Sequence, residues 1–359
     1  MIELLILALL GGGMAAYAIT IGQIDFTGRL NAQVNEDMDT ETAEVLEGYT
    51  NIALFGLDNR VSGETMKGRS DTIMIASIDN ATKEVRLLSI YRDTYLKVSD
   101  EKYYKINNAF ATGGVQGAVN AINVNLDLDI QDYICVDWLA VVQAIDAMGG
   151  LDLTITEEEM KQINQYKVDV DKMTGYSTPS VTEFGEVHLD GTQATTYARI
   201  RKTKGSDYLR TSRQRIVLQE MLKKAKAADP ATLVKTAGEV FDDVSTSLTL
   251  KQITGLLAKV GEYEIVSTTG FPFTLTDATV DKASCVVPID LEENVCQLHS
   301  WLFADEEYSP SATVAEISEH IMEVTGVTAD AYAENTSLYN ETVGAVGTED
   351  AKDRNRASE

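Results

Sequence analysis

The chain has 359 residues, 44% of them apolar, enough for one large domain or two ordinary ones. Its 30 basic and 56 acidic residues give a net charge of −26, which argues against general nucleic-acid binding, since that needs a basic surface. The three cysteines match no zinc spacing, and the three histidines (His188, His299, His320) stand too far apart to suggest a histidine metal site or a Ser-His-Asp triad. Cys285 and Cys296 read as small buried hydrophobes, with a pairing between them the alternative in an oxidising compartment.

Residues 4–22, LLILALLGGGMAAYAITIG, carry no charge and can just span a bilayer core of about 30 Å. They read as a membrane anchor. A cleaved signal peptide ending at Ala16-Tyr17-Ala18 and a buried soluble helix are the alternatives. The first two readings put the rest of the chain outside the membrane. Positive residues ordinarily precede an anchor; only Glu3 and the α-amino group do here, as for a start lying inside a longer chain. Residues 31–48 hold six acids and no base, without apolar periodicity. With the residues from 23 onward they read as an acidic linker to a folded part that begins near Tyr49.

Asn51–Leu57 is a short apolar run with the character of a buried strand, ending at Asp58. Thr72–Asp79 and Glu84–Ile90 read as two further strands joined in a hairpin, the first buried on both faces. A helical pattern follows over Asn107–Ile122, then a strand at Tyr133–Val136, a helix at Trp138–Met148 stopped by Gly149-Gly150, and a strand at Leu151–Ile155. Ala194–Arg201 fits either a strand or the continuation of a helix from Asp190. Thr211–Ala227 and Thr249–Val260 are helical, and residues 262–304 are strand-rich and then helical. Helices interleaved with strands predict an α/β fold with a central mixed sheet. The division expected is an anchor over 1–22, a linker over 23–48, a main domain over 49–228, a smaller C-terminal α/β region over 229–326 and a disordered tail over 327–359.

The electrostatic anomaly is Arg199–Arg215, RIRKTKGSDYLRTSRQR: seven of the thirty basic residues in seventeen positions, opposed only by Asp207. On a strand Arg199 and Arg201 face the same side. On a helix Arg210, Arg213 and Gln214 share a face. The planar fork of arginine suits phosphate oxygens. A second source of arginine flanks the hairpin, since Arg69 precedes its first strand and Arg92 follows its second. The hairpin brings these ends together, and Asp71 and Asp93 with them. Such carboxylates make either surface ion pairs, worth about 1 kcal/mol or less, or a seat for Mg²⁺ beside phosphate oxygens.

In motif and order these residues resemble the LytR-CpsA-Psr family. The carriers are the apolar strand ending at Asp58, RSDT (69–72), SIYRDTYLKV (89–98), KINNAFATGG (105–114), MGGLDLTI (148–155), HLDGTQATTYARIR (188–201) and SDYLRTSRQR (206–215). The resemblance spans roughly residues 50–225 and weakens beyond. It implies a membrane-anchored, single-pass protein with an extracytoplasmic catalytic domain. The implied activity is transfer of a teichoic-acid or capsular glycopolymer from a polyprenyl pyrophosphate carrier to peptidoglycan, with Mg²⁺, or Mn²⁺ in its place. It assigns Asp58 and Asp71 to the metal, and Arg69, Arg92, Arg199, Arg201, Arg210 and Gln214 to the pyrophosphate, with Lys105 and Asn107 lining the site. Asp93 and Asp207 would orient arginines, and either would serve as general base. Strand 73–78 and the helices at 138–148 and 214–222 are the candidates for an apolar lipid tunnel. A hydrolase of the same lipid and a non-catalytic scaffold are the competing readings. Two departures stand out. Tyr91 replaces an expected proline, which predicts a less restrained backbone before Arg92. Arg215 replaces a glutamine.

Overall fold

The computed structural model describes residues 25–26, 28–57, 70–201, 206–228, 244–249 and 261–329, with Lys251, Gln252, Leu256 and Lys259 besides. In chain order the strands are β1 (Asp25–Phe26), β2 (Tyr49–Leu57), β3 (Ser70–Asp79), β4 (Glu84–Ile90), β5 (Tyr95–Ser99), β6 (Lys102–Lys105), β7 (Asp132–Asp137), β8 (Leu151–Ile155), β9 (Gly185–Leu189), β10 (Val244–Thr246), β11 (Glu264–Phe271), β12 (Leu275–Val280) and β13 (Ala283–Pro288). The helices are α1 (Thr40–Glu47), α2 (Asn107–Leu126), α3 (Trp138–Ala147), α4 (Glu157–Thr174), α5 (Gly191–Arg199), α6 (Ser206–Ala227), α7 (Leu291–Phe303) and α8 (Ala312–Thr325).

Seven strands form one mixed sheet in the order β1-β10-β7-β2-β3-β4-β11. The pairs β2–β7 and β4–β11 are parallel, while β2–β3 and β3–β4 are antiparallel. Successive side chains of β3 supply opposite faces. Met74, Ala76 and Ile78 join one core with α3, α5 and α6, and Ile73 and Ile75 join a second core with α2, α7 and α8. That explains the unbroken apolar run: the strand is buried on both sides. Leu57 at the end of β2 pairs with both Ser70 and Asp137, which aligns three strand ends at one rim of the sheet.

The strand and helix expectations between 49 and 227 are met, with 194–199 helical rather than extended. Asp190 caps α5 by accepting from the Gln193 N–H while the Gln193 side chain returns to the Asp190 N–H, and this pair starts a helix. The stretch 31–48, expected to be a solvated linker, contains α1, capped by Asp39 and anchored by buried Leu46. Sequence periodicity missed it because its apolar contact is only Leu46 and the adjacent, partly buried Val45, with no repeat along the helix. The three cysteines are free, with Cys135 and Cys285 buried. The anchor segment 1–22, most of the helix expected at 249–260 and the tail after 329 lie outside the described residues. Among the described residues no helix is long and apolar enough to cross a membrane.

Candidate functional site

Three guanidinium groups converge on Asp71, the second residue of β3. Arg92, just past β4, bonds the Asp71 Oδ1 atom. Arg201 Nη2 lies 2.6 Å from Oδ2, and Arg210 Nη2 donates to the Asp71 carbonyl at 2.9 Å. The hairpin register puts the start of β3 beside the end of β4, so the first contact follows from strand pairing. The other two need the crossover through α5 and α6. Burial would push the Asp71 carboxyl up, but the charges of Arg92, Arg201 and Arg210 outweigh it and hold the group below the ordinary value. It is therefore an anion at neutral pH.

A second carboxylate sits beside the first. Asp93 Oδ1 is 3.1 Å from Lys105 Nζ, and Asp93 Oδ2 is 3.8 Å from Arg92 Nε. The backbone of this turn is fixed from three sides: Tyr91 N–H donates to the Phe271 carbonyl (3.0 Å), Asn107 N–H to the Arg92 carbonyl (3.1 Å) and Val286 N–H to the Asp93 carbonyl (2.9 Å). The Tyr91 ring is buried against Tyr208, with centroids 4.7 Å apart, and against Leu275 and Val286. The looser backbone expected from the missing proline is thus not found, because a packed ring and a ladder bond replace the fixed φ angle.

A narrow apolar cavity of about 50 Å³, partly open to solvent, adjoins the cluster. Its walls include Leu54 and Met74 from the sheet, Trp138 and Val141 from α3, and Val217 and Leu218 from α6. All but Leu54 come from the segments expected to build a tunnel. Thr72, next to Asp71, lines it, and so does Gln214, one turn beyond Arg210. The Gln214 amide is buried and has no hydrogen-bond partner among the described residues. Asp137, not foreseen, also lines the cavity; burial raises its pKa, while N–H groups of Ala140 and Leu139 at the start of α3 oppose the rise. Its signal in the sequence was an aspartate directly before a helical run.

Arg199 departs from expectation. Since α5 ends there, Arg199 and Arg201 do not share a strand face. The Arg199 guanidinium lies 5.0 Å from the ring centroid of Trp138, and its Nη1 lies 3.6 Å from Met173 Sδ. It borders a cavity wall rather than joining the contacts made to Asp71. Arg215, another departure in the sequence, is buried and donates to Ser89 Oγ at 2.9 Å. Asp58, Arg69 and the side chain of Asp207 lie outside the described residues.

The LytR_cpsA_psr family model matches residues 23–294. The chain belongs to the LytR_cpsA_psr family. The match begins ahead of the expected main domain and extends into the first turn of α7, so strands β11–β13, which brace the Arg92 turn, fall within it. One similar member, from Oceanobacillus iheyensis, is the polyisoprenyl-teichoic acid–peptidoglycan teichoic acid transferase TagU. It is 30% identical over 273 residues, which is 71% of this chain and 78% of that protein. The fold is shared with solved structures of this LytR_cpsA_psr type. TagT bound to LI-WTA gives a TM-score of 0.59 at 22% identity, covering 80% of this chain and 99% of the other. The family protein YwtF (TagT) with bound octaprenyl pyrophosphate lipid gives 0.52 at 19%, covering 85% and 99%.

Proposed function

We propose that this chain is a transferase that moves an anionic glycopolymer, of teichoic-acid or capsular type, from a polyprenyl pyrophosphate carrier to peptidoglycan. One observation carries the reading: Arg92, Arg201 and Arg210 meet at the rim of an apolar cavity whose wall continues directly from Asp71 and Arg210. Cationic forks beside a greasy cavity suit a molecule with a diphosphate head and an isoprenoid tail. The activity of the TagU relative supports the same substrate class.

In this reading an acceptor hydroxyl of peptidoglycan attacks the phosphorus bonded to the glycopolymer sugar. A new P–O bond forms, the bond from that phosphorus to the bridging oxygen breaks, and polyprenyl phosphate leaves with the electron pair. The hydroxyl proton passes to Asp93 or Asp207. Arg92, Arg201 and Arg210 hold the phosphate oxygens in line and offset the charge on the leaving group. Lys105 keeps Asp93 oriented, and Gln214 offers its amide at the head–tail junction.

The donor set fits a divalent cation in part. Asp71 is ionised, and each of its oxygens takes one arginine hydrogen bond, which leaves lone pairs for a metal. Asp71 and Asp58 would hold Mg²⁺, or Mn²⁺, and the ion would supply further charge neutralisation at the diphosphate. Residues 1–22 would anchor the chain, with the catalytic part on the outer membrane face where peptidoglycan lies.

Product analysis tests the reading. Purified full chain, lipid-linked polymer and peptidoglycan should yield polymer joined covalently to the wall. Free phosphorylated polymer as the sole product would make the chain a hydrolase, and no product would favour a scaffold.

A further inference from the structure

Spacing groups Arg213 with Arg210 and Gln214 on one helix face, yet its side chain serves a different neighbour. Arg213 Nε donates to Glu159 Oε1 at 2.8 Å, and Nη1 donates to the Ile200 carbonyl at 3.2 Å. Both charged side chains are more than nine-tenths buried. The guanidinium also lies over the Tyr197 ring, 5.9 Å from its centroid. Glu159 is held in turn: its Oε2 accepts from Thr156 N–H at 2.9 Å and Thr156 Oγ1 at 3.1 Å, closing the cap of α4. Ile200 is the residue between the end of α5 and Arg201. Carbonyls at a helix end lack intrahelical partners, and a cation suits them.

We propose that Arg213 and Glu159 are positioning residues that clamp the Ile200 peptide, so that Arg201 leaves α5 aimed at Asp71. The proposal rests on reading the cluster at Asp71 as the pyrophosphate site. It assigns the two arginines of the R-x-x-R segment different work: Arg210 reaches the site, and Arg213 fixes the backbone that delivers a third arginine to it. Only a planar fork reaches the carboxylate and the carbonyl together; a lysine ammonium is a point charge on a flexible stem.

The test measures dissociation constants for octaprenyl pyrophosphate with the full chain in detergent, alongside thermal unfolding. Arg201→Ala should weaken binding about tenfold or more, the loss of one charged hydrogen bond. Arg213→Lys should weaken it roughly five- to tenfold for the same lost contact made indirectly. In the double variant Arg201→Ala/Arg213→Lys the loss should equal that of Arg201→Ala alone, because the clamp then has nothing to aim. The paired change Glu159→Leu/Arg213→Met removes both buried charges together, which keeps the fold while releasing the clamp; it should lose affinity like Arg213→Lys. Wild-type binding by Arg213→Lys, or full additivity with Arg201→Ala, overturns the clamp. Wild-type binding by Arg201→Ala overturns the site reading and the clamp with it.

Discussion

Arg201 Nη2 lies 2.6 Å from Asp71 Oδ2 across 130 residues of chain. The other oxygen of that carboxylate takes Arg92, and the carbonyl of the same residue takes Arg210. One acid therefore organises three cations that would otherwise repel. Replacing it by asparagine keeps the shape and removes the charge. Asp71→Asn should cost about 3 kcal/mol, the low end for breaking a buried pair, since Arg201 is 44% exposed. Urea unfolding measures this, and an unmoved midpoint would deny Asp71 its organising part.

Acid should act through the same group in a defined window. The Asp71 pKa is lowered from its ordinary 3.8. Between the folded and unfolded values the unfolded chain binds more protons, so stability rises with pH there. The contribution is complete above about pH 5 and is lost as pH falls through the lowered folded value. The stability difference between wild type and Asp71→Asn should thus be flat from pH 5 to 8 and shrink only below about pH 4. A difference that changes near neutrality would point to another titrating group.

The hairpin half of the site was legible because strand pairing is local: the run 72–90 fixes both strands, and Arg92 must then fall beside Asp71. The arrival of Arg201 and Arg210 was readable as basic residues but not as geometry, since it depends on where α5 ends. The Asp190–Gln193 cap carried that information, and the apolar, β-branched look of 194–201 masked it. The role of Arg213 was hidden for a different reason. Its partner Glu159 sits 54 residues away on α4, a helix with so little apolar content that periodicity does not reveal it. Only Thr156 and Glu159, a capping pair, mark its start.

Gly270 and Tyr91 make a further test of how the Arg92 turn is held. A Cβ at Gly270 would lie 2.2 Å from Tyr91 Oη and 2.5 Å from Cζ. The ring cannot retreat freely, since Tyr208, Leu275 and Val286 surround it. Gly270→Ala should cost about 1–3 kcal/mol from overpacking, with transfer falling further because Arg92 follows Tyr91 directly. Tyr91→Ala in the same chain removes the clash, so the double variant should be less destabilised than the two losses added. Thermal melts of the four proteins decide it.

Tail and head of the substrate should be separable by filling the cavity. Ala198 on α5 lines it and is nearly fully buried. Ala198→Leu places extra methyl groups where the isoprenoid would lie, at about 1–3 kcal/mol in stability from overpacking so narrow a cavity. Octaprenyl pyrophosphate should bind about tenfold more weakly, since each buried CH₂ displaced is worth about 0.8 kcal/mol. Inorganic pyrophosphate should bind as before, because the arginines are untouched. Calorimetry with both ligands checks this; equal weakening of the two would mean the cavity is not the tail's seat.

Asp127 sets the far end of α2 and should matter for stability alone. It holds a left-handed backbone, φ 48°, and is fully buried. Its Oδ1 accepts from Asn35 Nδ2 (2.6 Å) and Ser311 Oγ (2.8 Å), and its Oδ2 from Tyr308 Oη (2.6 Å) and Ser311 N–H (2.8 Å). Burial, then the Asp127 charge, pushes the Tyr308 hydroxyl pKa far up, so it stays a donor at any working pH. The network ties the segment before α1 and the start of α8 to the C-terminal end of α2, which is separated from Asn107 and the Arg92 turn by the kink at Gly114. Asparagine tolerates the same backbone, so Asp127→Asn isolates the hydrogen bonds. Its amide would turn a donor toward two donors, at about 1–3 kcal/mol for each group left unpaired. The melting temperature should fall markedly while the dissociation constant for octaprenyl pyrophosphate, measured well below the melt, stays at the wild-type value. A weakened affinity in the folded variant would show that this lock also reaches the arginine cluster.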